Sequence, residues 1–145
     1  MSCCPDNPSV NVALSAYVLE GEPSEILILF AHGAGANRDS DFMCQMAAGL
    51  VAKGFQVMRF NFPYMQANAM DGKKRPPDRA PKLLACFSEM LDVAHAQPKV
   101  KRVVLMGKSM GGRMAALLAC DSVQASRIDR VICLGYPFIP LKGGE

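Results

Sequence analysis

Short apolar runs alternate with amphipathic segments along the whole chain. Nearly continuous apolar runs at 25–31, 55–60 and 101–106 predict buried strands, and weaker patterns predict a mixed strand at 11–19 and a last strand at 129–134. Apolar runs without polar alternation are typical of parallel strands that are covered on both faces. The sheet is therefore expected to be mostly parallel.

The segments between these strands carry apolar residues at helical spacing. The predicted helices lie at about 40–53, 80–96 and 110–120. Asp39 or Ser40 can cap the first of them, and Gly54 ends it. Residues 61–79, in which polar residues and prolines dominate, are expected to form a long loop that carries substrate contacts.

The alternation of strands and helices predicts a three-layer α/β/α fold, in a single domain over 1–145, with right-handed crossovers. In such sheets, ligands bind at the carboxyl ends of the strands. The segments that follow the predicted strands, at His32, Asn61, Ser109 and Tyr136, should all lie at that edge.

Size and composition fit one globular domain. The chain has 145 residues, 50% of them hydrophobic and 20% charged, which is enough to bury a core. A net charge of +3, with only short basic clusters, excludes the extended basic face of a nucleic-acid-binding protein. No apolar run approaches the ~20 residues that cross a bilayer, and the N-terminus lacks the pattern of a signal peptide. Neither nucleic acid nor a membrane is an expected partner.

The cysteines indicate a compartment. Six of them are dispersed along the chain: Cys3, Cys4, Cys44, Cys86, Cys120 and Cys133. Most lie within apolar patterns, which is typical of buried thiols and indicates the cytoplasm rather than a disulfide framework. The adjacent Cys3 and Cys4 have no further ligands at metal-binding spacing, so neither a metal nor another cofactor is expected.

One segment carries a recognisable chemistry. Gly107-Lys108-Ser109-Met110-Gly111 follows a predicted strand and opens a predicted helix. This Gly-x-Ser-x-Gly pattern fits the nucleophile elbow, a sharp strand-to-helix turn that exposes a serine hydroxyl above the sheet. Ser109 is therefore the predicted nucleophile of an acyl-transfer reaction. In the alternative interpretation, the glycines only let the helix pack on the sheet while Ser109 caps it.

Two phosphate-binding motifs overlap these segments and are excluded. Gly107-Lys108-Ser109 resembles the end of a P-loop, but Arg102 stands where the first glycine is required. The glycine-containing run after the second strand is not a dinucleotide fingerprint, since Arg38 occupies the position of its third glycine.

An oxyanion hole is expected around the serine. The backbone N–H of Met110, at the positive end of the following helix, is the expected first donor. The second is expected from the small-residue loop after the second strand, with Ala34 as the first choice and Gly35 as the alternative. The side chains considered for substrate binding are Lys108, Arg113, Arg59, Tyr64 and His32. For Lys108 and Arg113 the alternative is a packing or salt-bridge role, and for His32 it is bracing of the loop.

Four sequence blocks are distinctive in combination. They are Phe-Ala-His-Gly-Ala-Gly-Ala-Asn at 30–37, Arg-Phe-Asn-Phe-Pro-Tyr at 59–64, Gly-Lys-Ser-Met-Gly-Gly-Arg at 107–113 and Gly-Tyr-Pro-Phe at 135–138. Together they resemble one branch of the α/β-hydrolase superfamily, which includes testis-expressed and NSL-complex-subunit-3-like proteins and many uncharacterised bacterial hydrolases. The resemblance implies a partial α/β-hydrolase fold, with Ser109 as nucleophile and amides near Ala34 and Met110 as the oxyanion hole.

The chain departs from this family pattern after the elbow. In the family, an acid and then a histidine follow the serine, and this chain reaches Glu145 without either. Its two histidines, His32 and His95, are not expected to act as the base. Asp121 and Asp129 are expected at the opposite edge of the sheet. The sequence is therefore interpreted as a C-terminally truncated hydrolase domain with weak or no activity of its own.

The sequence leaves three hypotheses about function. The first is a serine esterase or acyl hydrolase that acts on a small ester or acyl substrate, impaired by the absence of the acid and the histidine. The second is a non-catalytic binding or scaffold module that keeps the fold and the pocket. The third is a homo-oligomer in which another copy covers the open sheet edge left by the apolar strand at 131–134.

Overall fold

Five strands and five helices make up the computed structural model, which describes residues 16–135. The strands are β1 (Tyr17–Glu20), β2 (Ile26–Ala31), β3 (Gln56–Phe60), β4 (Arg102–Lys108) and β5 (Arg130–Leu134). The helices are α1 (Asp41–Ala52), α2 (Pro63–Asp71), α3 (Ala80–His95), α4 (Met110–Ala119) and α5 (Ser122–Ala125). The strands form one sheet in the order β1-β3-β2-β4-β5, which confirms the predicted α/β fold with a mostly parallel sheet.

The sheet brings three strand ends to one level. β2 lies at the centre, parallel to β3 on one side and to β4 on the other, while β5 is parallel to β4 and β1 is antiparallel to β3. Ala31, the last residue of β2, is in register with Phe60 of β3 and with Gly107 of β4. The segments that follow these strands therefore start from the same edge, where parallel sheets bind ligands.

Helices cover both faces of the sheet. Side chains alternate across β2, so that Leu27 and Leu29 belong to the apolar core that includes residues of α3 and α4, and Ile28 and Phe30 to the core that includes residues of α1. Most side chains of β2, β3 and β4 are buried. Coverage on both faces explains why their sequences show no polar alternation.

The predicted helices α1, α3 and α4 form where the spacing of apolar residues placed them. Ser40 is the N-cap of α1, and its side chain accepts a hydrogen bond from the backbone N–H of Met43 at 3.4 Å. Gly54 follows that helix with φ +97, a conformation that side chains rarely adopt. Within the described part of the chain, no helix is long and apolar enough to cross a membrane.

The prediction of a continuous loop over 61–79 is wrong for its first half, where α2 forms. Pro63 occupies the first turn of this helix, a position in which its missing N–H is not needed. Gly72 ends it at φ +73. The helix was hidden because only two of its side chains are buried, so that its apolar residues mark no continuous face at helical spacing.

Some predictions lie outside the described residues. They are the start of the strand expected at 11–19, the pair Cys3 and Cys4, and the segment after Gly135. The last predicted strand is confirmed as β5, and it is the outermost described strand beside β4, with Ile132 39% exposed. Coverage of β5 by another copy of the chain stays a prediction.

The cysteines differ from expectation. Cys86, Cys120 and Cys133 are free thiols, but the last two are exposed rather than buried. Cys44 is buried in α1 and disulfide-bonded, so the expectation of thiols throughout is wrong there. The apolar spacing of α1 marked Cys44 as buried, and such spacing carries no information about the partner of a sulfur atom.

Candidate active site

Ser109 stands at the tip of the turn between β4 and α4. Its backbone adopts φ +51 and ψ −109, and among the described residues only Lys99 shares a positive φ without being glycine. Backbone strain of this kind costs about 1–3 kcal/mol and concentrates at functional sites. The Ser109 side chain makes no capping hydrogen bond to α4, so the interpretation of this serine as a helix cap is wrong.

The glycines around Ser109 are required by close backbone packing. A Cβ on Gly107 would lie 2.2 Å from the backbone of Gly111 and Gly112. A Cβ on Gly111 would lie 2.5 Å from the carbonyl oxygen of His32. Both distances are far inside the normal carbon contact of about 3.5–4.0 Å. The absence of these side chains lets α4 pack directly on the strand ends and places Ser109 against the loop that follows β2.

A cavity of about 340 Å³ opens beside Ser109. The loop after β2 and the start of α1 line it, with Gly33, Ala34, Gly35, Ala36, Ser40, Phe42, Met43, Lys108 and Ser109. A Cβ on Gly33 would lie 3.2 Å from the carbonyl oxygen of Lys108 and 3.7 Å from Cβ of Ser109, so the loop and the elbow are in close contact. Phe42 and Met43 were not predicted as lining residues. Their position in the first turn of α1, just after its cap Ser40, would have indicated that they lie at the same edge of the sheet.

Unbonded backbone N–H groups flank this cavity. Within residues 16–135, the N–H groups of Ala34, Gly35 and Met110 donate no hydrogen bond. Met110 begins α4, and the first N–H groups of a helix have no partner inside it. The positive end of the helix dipole lies at the same place. Within these residues, the backbone groups predicted as oxyanion donors make no hydrogen bond, and their role as donors stays a prediction.

His32 holds the loop after β2 from inside the protein. It is fully buried, and its Nε2 accepts a hydrogen bond from the backbone N–H of Phe62 at 3.0 Å. Nε2 therefore carries no proton, and Nδ1–H donates to the carbonyl oxygen of Gly33 at 2.6 Å. Burial lowers the pKa of His32 to about 4, which keeps the ring neutral. This is the bracing role considered from the sequence; a substrate contact, the other role, does not fit the buried position.

Tyr64 reaches the same loop from α2. Its hydroxyl donates a hydrogen bond to the carbonyl oxygen of Ala34 at 2.9 Å and lies 3.5 Å from that of Gly33. The backbone N–H of Tyr64 donates to the carboxylate of Asp78 at 2.8 Å. Tyr64 is buried, and it lines a second cavity of about 700 Å³ between α2 and the start of α3, not the cavity beside Ser109. Its contact is with the loop.

Arg59 does not reach the candidate site. It is fully buried in β3, and its guanidinium pairs with Glu20 at 2.6 Å and with Asp39 at 3.0 Å. It also donates a hydrogen bond to the carbonyl oxygen of Arg38. The expectation of a substrate contact at Arg59 is therefore corrected: its charge ties β1 and β3 to the end of the loop.

Lys108 and Arg113 lie on different sides of the elbow. Lys108 is exposed and lines the cavity beside Ser109, with Nζ 5.4 Å from the ring centroid of Phe42. Within the described ranges it makes no ion pair with a carboxylate. Arg113 follows one turn later on α4, is half-buried and does not line that cavity.

The histidines are not placed to deprotonate Ser109. Both ring nitrogens of His32 are engaged by the backbone. Nε2 of His95 lies 2.8 Å from the carbonyl oxygen of Arg127, close to the start of β5 and so at the opposite edge of the sheet. Asp121 is there as well, where it caps α5. Among residues 16–135, no group of His, Cys, Asp and Glu side chains is arranged to hold a metal ion.

Known proteins share this architecture. A family model described as an alpha/beta hydrolase domain matches residues 24–145. Est1E from Butyrivibrio proteoclasticus superposes with a TM-score of 0.62 at 17% identity, over 77% of this chain and 42% of that chain. The dienelactone hydrolase from Anabaena variabilis superposes with a TM-score of 0.66 at 19% identity, over 83% of this chain and 59% of that chain. The monoacylglycerol lipase from Paleococcus ferrophilus superposes with a TM-score of 0.60 at 18% identity, over 81% of this chain and 41% of that chain.

These matches establish a fold and a family. The chain spans between 41% and 59% of the length of these three structures, and at identities of 17–19% the superpositions show the fold alone. No curated protein sequence matches the chain. The family model covers most of the sequence, including the loop after β2 and the turn at Ser109. This chain therefore belongs to the α/β-hydrolase family.

Proposed function

We propose that Ser109 is the nucleophile of a serine acyl hydrolase of the esterase type. The observation that carries the proposal is the setting of this one residue. Its backbone is strained at φ +51, its hydroxyl is not used to cap α4, and it borders a cavity. Strain that has no capping purpose, at the tip of a strand-to-helix turn, is typical of an exposed nucleophile.

The proposed chemistry uses backbone groups on both sides of the serine. Oγ of Ser109 attacks the carbonyl carbon of an ester, and negative charge collects on the carbonyl oxygen. The N–H groups of Met110 and of Ala34, or of Gly35 in its place, donate hydrogen bonds to that oxygen. Loss of one such donor typically costs ~2.7–4 kcal/mol of transition-state stabilisation, and the dipole of α4 adds to the effect.

The proposed substrate is a small ester or acyl compound. A cavity of about 340 Å³ is at the small end of the roughly 300–1,000 Å³ found for ligand sites. The ammonium group of Lys108 at its rim favours a substrate with a negative charge. Proteins named as a monoacylglycerol lipase and a dienelactone hydrolase share the fold, which supports an ester-type substrate.

Turnover by the 145-residue chain on its own is proposed to be weak. Neither His32 nor His95 is placed to take the proton of Ser109. Removal of the nucleophile or base of a triad can cost about a million-fold in turnover, whereas oxyanion hole and binding alone retain roughly 10³–10⁴ over water. Neither histidine of residues 16–135 therefore serves Ser109 as its base.

Covalent labelling tests the nucleophile directly. The chain and its Ser109→Ala and Ser122→Ala variants are incubated with a fluorophosphonate probe, and the labelled residue is identified by peptide mass spectrometry. Ser122 is an exposed serine at the start of α5 and is the matched control. We expect slow labelling that disappears only in Ser109→Ala. A chain that is folded by circular dichroism and never labelled at Ser109 would refute the proposal.

One observation favours a second candidate, a non-catalytic module that binds a small molecule in the same cavity. Among the described residues, neither histidine is placed as a base for Ser109, and Asp121 caps α5. This candidate predicts that the folded chain binds a small ester in calorimetric titration, is not labelled by the probe, and binds equally well as Ser109→Ala. Labelling at Ser109 would exclude it.

A further inference from the structure

We infer that the hydroxyl of Tyr64 positions the oxyanion donors of the loop formed by residues 33–36, by holding the Ala34 carbonyl so that the N–H of Gly35 faces the cavity beside Ser109. This inference rests on the proposed function and explains how the same site is kept in order. Tyr64 touches the loop and not the reacting atoms, which makes it a positioning residue.

The geometry of the peptide bond links the two ends of this contact. In a trans peptide unit the C=O and the following N–H point in opposite directions, and the described residues contain no cis peptide bond. The hydrogen bond from Tyr64 to the carbonyl oxygen of Ala34, at 2.9 Å, therefore directs the N–H of Gly35 away from Tyr64. In the same way, the bond from His32 to the carbonyl oxygen of Gly33, at 2.6 Å, directs the N–H of Ala34 away from the imidazole.

Both carbonyls point towards the protein interior. Tyr64 and His32 are buried side by side, with ring centroids 5.9 Å apart. Neither residue lines the cavity beside Ser109, whereas the loop itself does. Since the hydrogen-bond donors lie behind the loop, the N–H groups of Ala34 and Gly35 face the other way, where the cavity is.

Tyr64 supports the second peptide unit through its hydrogen bond to Ala34. A Cβ on Gly35 would meet no atom within 4 Å, so the space beside this residue is open. The tyrosine is itself held in place, because its backbone N–H donates to Asp78 at 2.8 Å. Burial raises the pKa of Tyr64 well above its ordinary value, so the hydroxyl remains a donor over the neutral pH range.

A thiol at the nucleophile position separates oxyanion stabilisation from activation by a base. Ser109→Cys introduces a group that reacts without a strong base, since a few per cent of cysteine is thiolate at pH 7. With p-nitrophenyl acetate, the sulfur bonds to the acetyl carbon and nitrophenolate leaves, through a tetrahedral oxyanion. With iodoacetamide, the sulfur bonds to the methylene carbon and iodide leaves, without an oxyanion. A change in the ratio of the two rates between variants therefore reports a change in oxyanion stabilisation.

Tyr64→Phe in the Ser109→Cys background removes the hydroxyl and keeps the ring. We expect acylation of the introduced thiol to fall about tenfold or more, up to the 10²–10³-fold typical of a lost donor, while alkylation changes by less than about twofold. Tyr17→Phe, which removes a hydroxyl in β1, is the matched control and should change neither rate. Peptide mass spectrometry measures each thiol separately, and the exposed thiol of Cys120 is the internal reference.

The outcomes distinguish the inference from the function on which it rests. For each thiol, the rate of acylation is divided by the rate of alkylation. If this ratio is higher for the introduced thiol than for Cys120, and Tyr64→Phe leaves it unchanged, the inference is wrong and the proposed function stands. If the introduced thiol has no advantage over Cys120 in acylation, both fail. Should Tyr64→Phe not fold, Asp78→Ala leaves the hydroxyl but frees the tyrosine backbone, and the same loss of acylation is expected.

Discussion

The backbone N–H of Phe62 donates a hydrogen bond to Nε2 of His32 over 3.0 Å. This contact joins the segment after β3 to the segment after β2, and it selects the neutral tautomer of the imidazole. If Nε2 carried a proton, the N–H of Phe62 would face a second donor instead of the lone pair that accepts its hydrogen bond. The loop beside Ser109 is therefore held by a ring that has to stay uncharged.

The stability of the fold should depend on pH through His32. Burial lowers its pKa to about 4, against about 6.5 in an unfolded chain, so the unfolded state takes up a proton first as the pH falls. The neutral His32 side chain therefore contributes on the order of 3 kcal/mol to the free energy of unfolding. This contribution is fully present above about pH 6.5 and is lost as the pH falls to about 4. Urea unfolding followed by circular dichroism measures it. A His32→Gln variant with the same pH dependence as the parent would contradict the assignment.

Alanine at Gly107 should prevent the elbow from forming. The added Cβ would lie 2.2 Å from the backbone of α4, and we expect a loss of more than about 4 kcal/mol of unfolding free energy, or no folded protein. Gly49→Ala is the control, since it lies inside α1 with open space around it. It should stabilise the protein by up to about 1 kcal/mol through helix propensity. Equal thermal midpoints for the two variants would show that the backbone contact is not required.

Removal of the buried charge at Arg59 should destabilise the sheet edge. Arg59→Met removes the ion-pair partner of Glu20 and one partner of Asp39, which keeps its contact with Arg38 at 3.4 Å. We expect the free energy of unfolding to fall by about 2–3 kcal/mol. This is less than the ~3–5 kcal/mol that breaking a fully buried pair costs, because both carboxylates keep some contact with water. Arg75→Met, which breaks an exposed pair with Asp71, should have no measurable effect. Chemical denaturation of both variants gives the comparison, and a similar result for the two would refute the structural role of Arg59.

Lys108 should select for negatively charged esters. In the Ser109→Cys background, Lys108→Gln is expected to slow acylation by mono-p-nitrophenyl succinate about fivefold, since an exposed charge pair contributes about 1 kcal/mol. Acylation by neutral p-nitrophenyl acetate should not change. Lys82→Gln, an exposed lysine at the other cavity, is the control. An equal effect on both esters would assign Lys108 to packing on Phe42 instead.

Much of the fold is predictable from local pattern. The apolar runs of β2, β3 and β4 identify a covered parallel sheet, and the glycines around Ser109 identify the turn that the structure contains. What escapes prediction depends on partners distant in sequence. Arg59 resembled a site residue because its partner Glu20 lies 39 positions earlier. Tyr64 sits on a helix whose apolar residues form no continuous buried face, and its contact with Ala34 exists only after folding.

Ala31 stands level with Phe60 and Gly107 at one edge of the sheet. As a result, the proposed oxygen-binding half of the chemistry is built by one uninterrupted stretch, from the end of β2 to the first turn of α4. The proposed nucleophile and the proposed amide donors therefore depend on the same three strand ends. The proposal accordingly treats the groups that bind the substrate oxygen and the group that takes the proton as separate parts of the reaction.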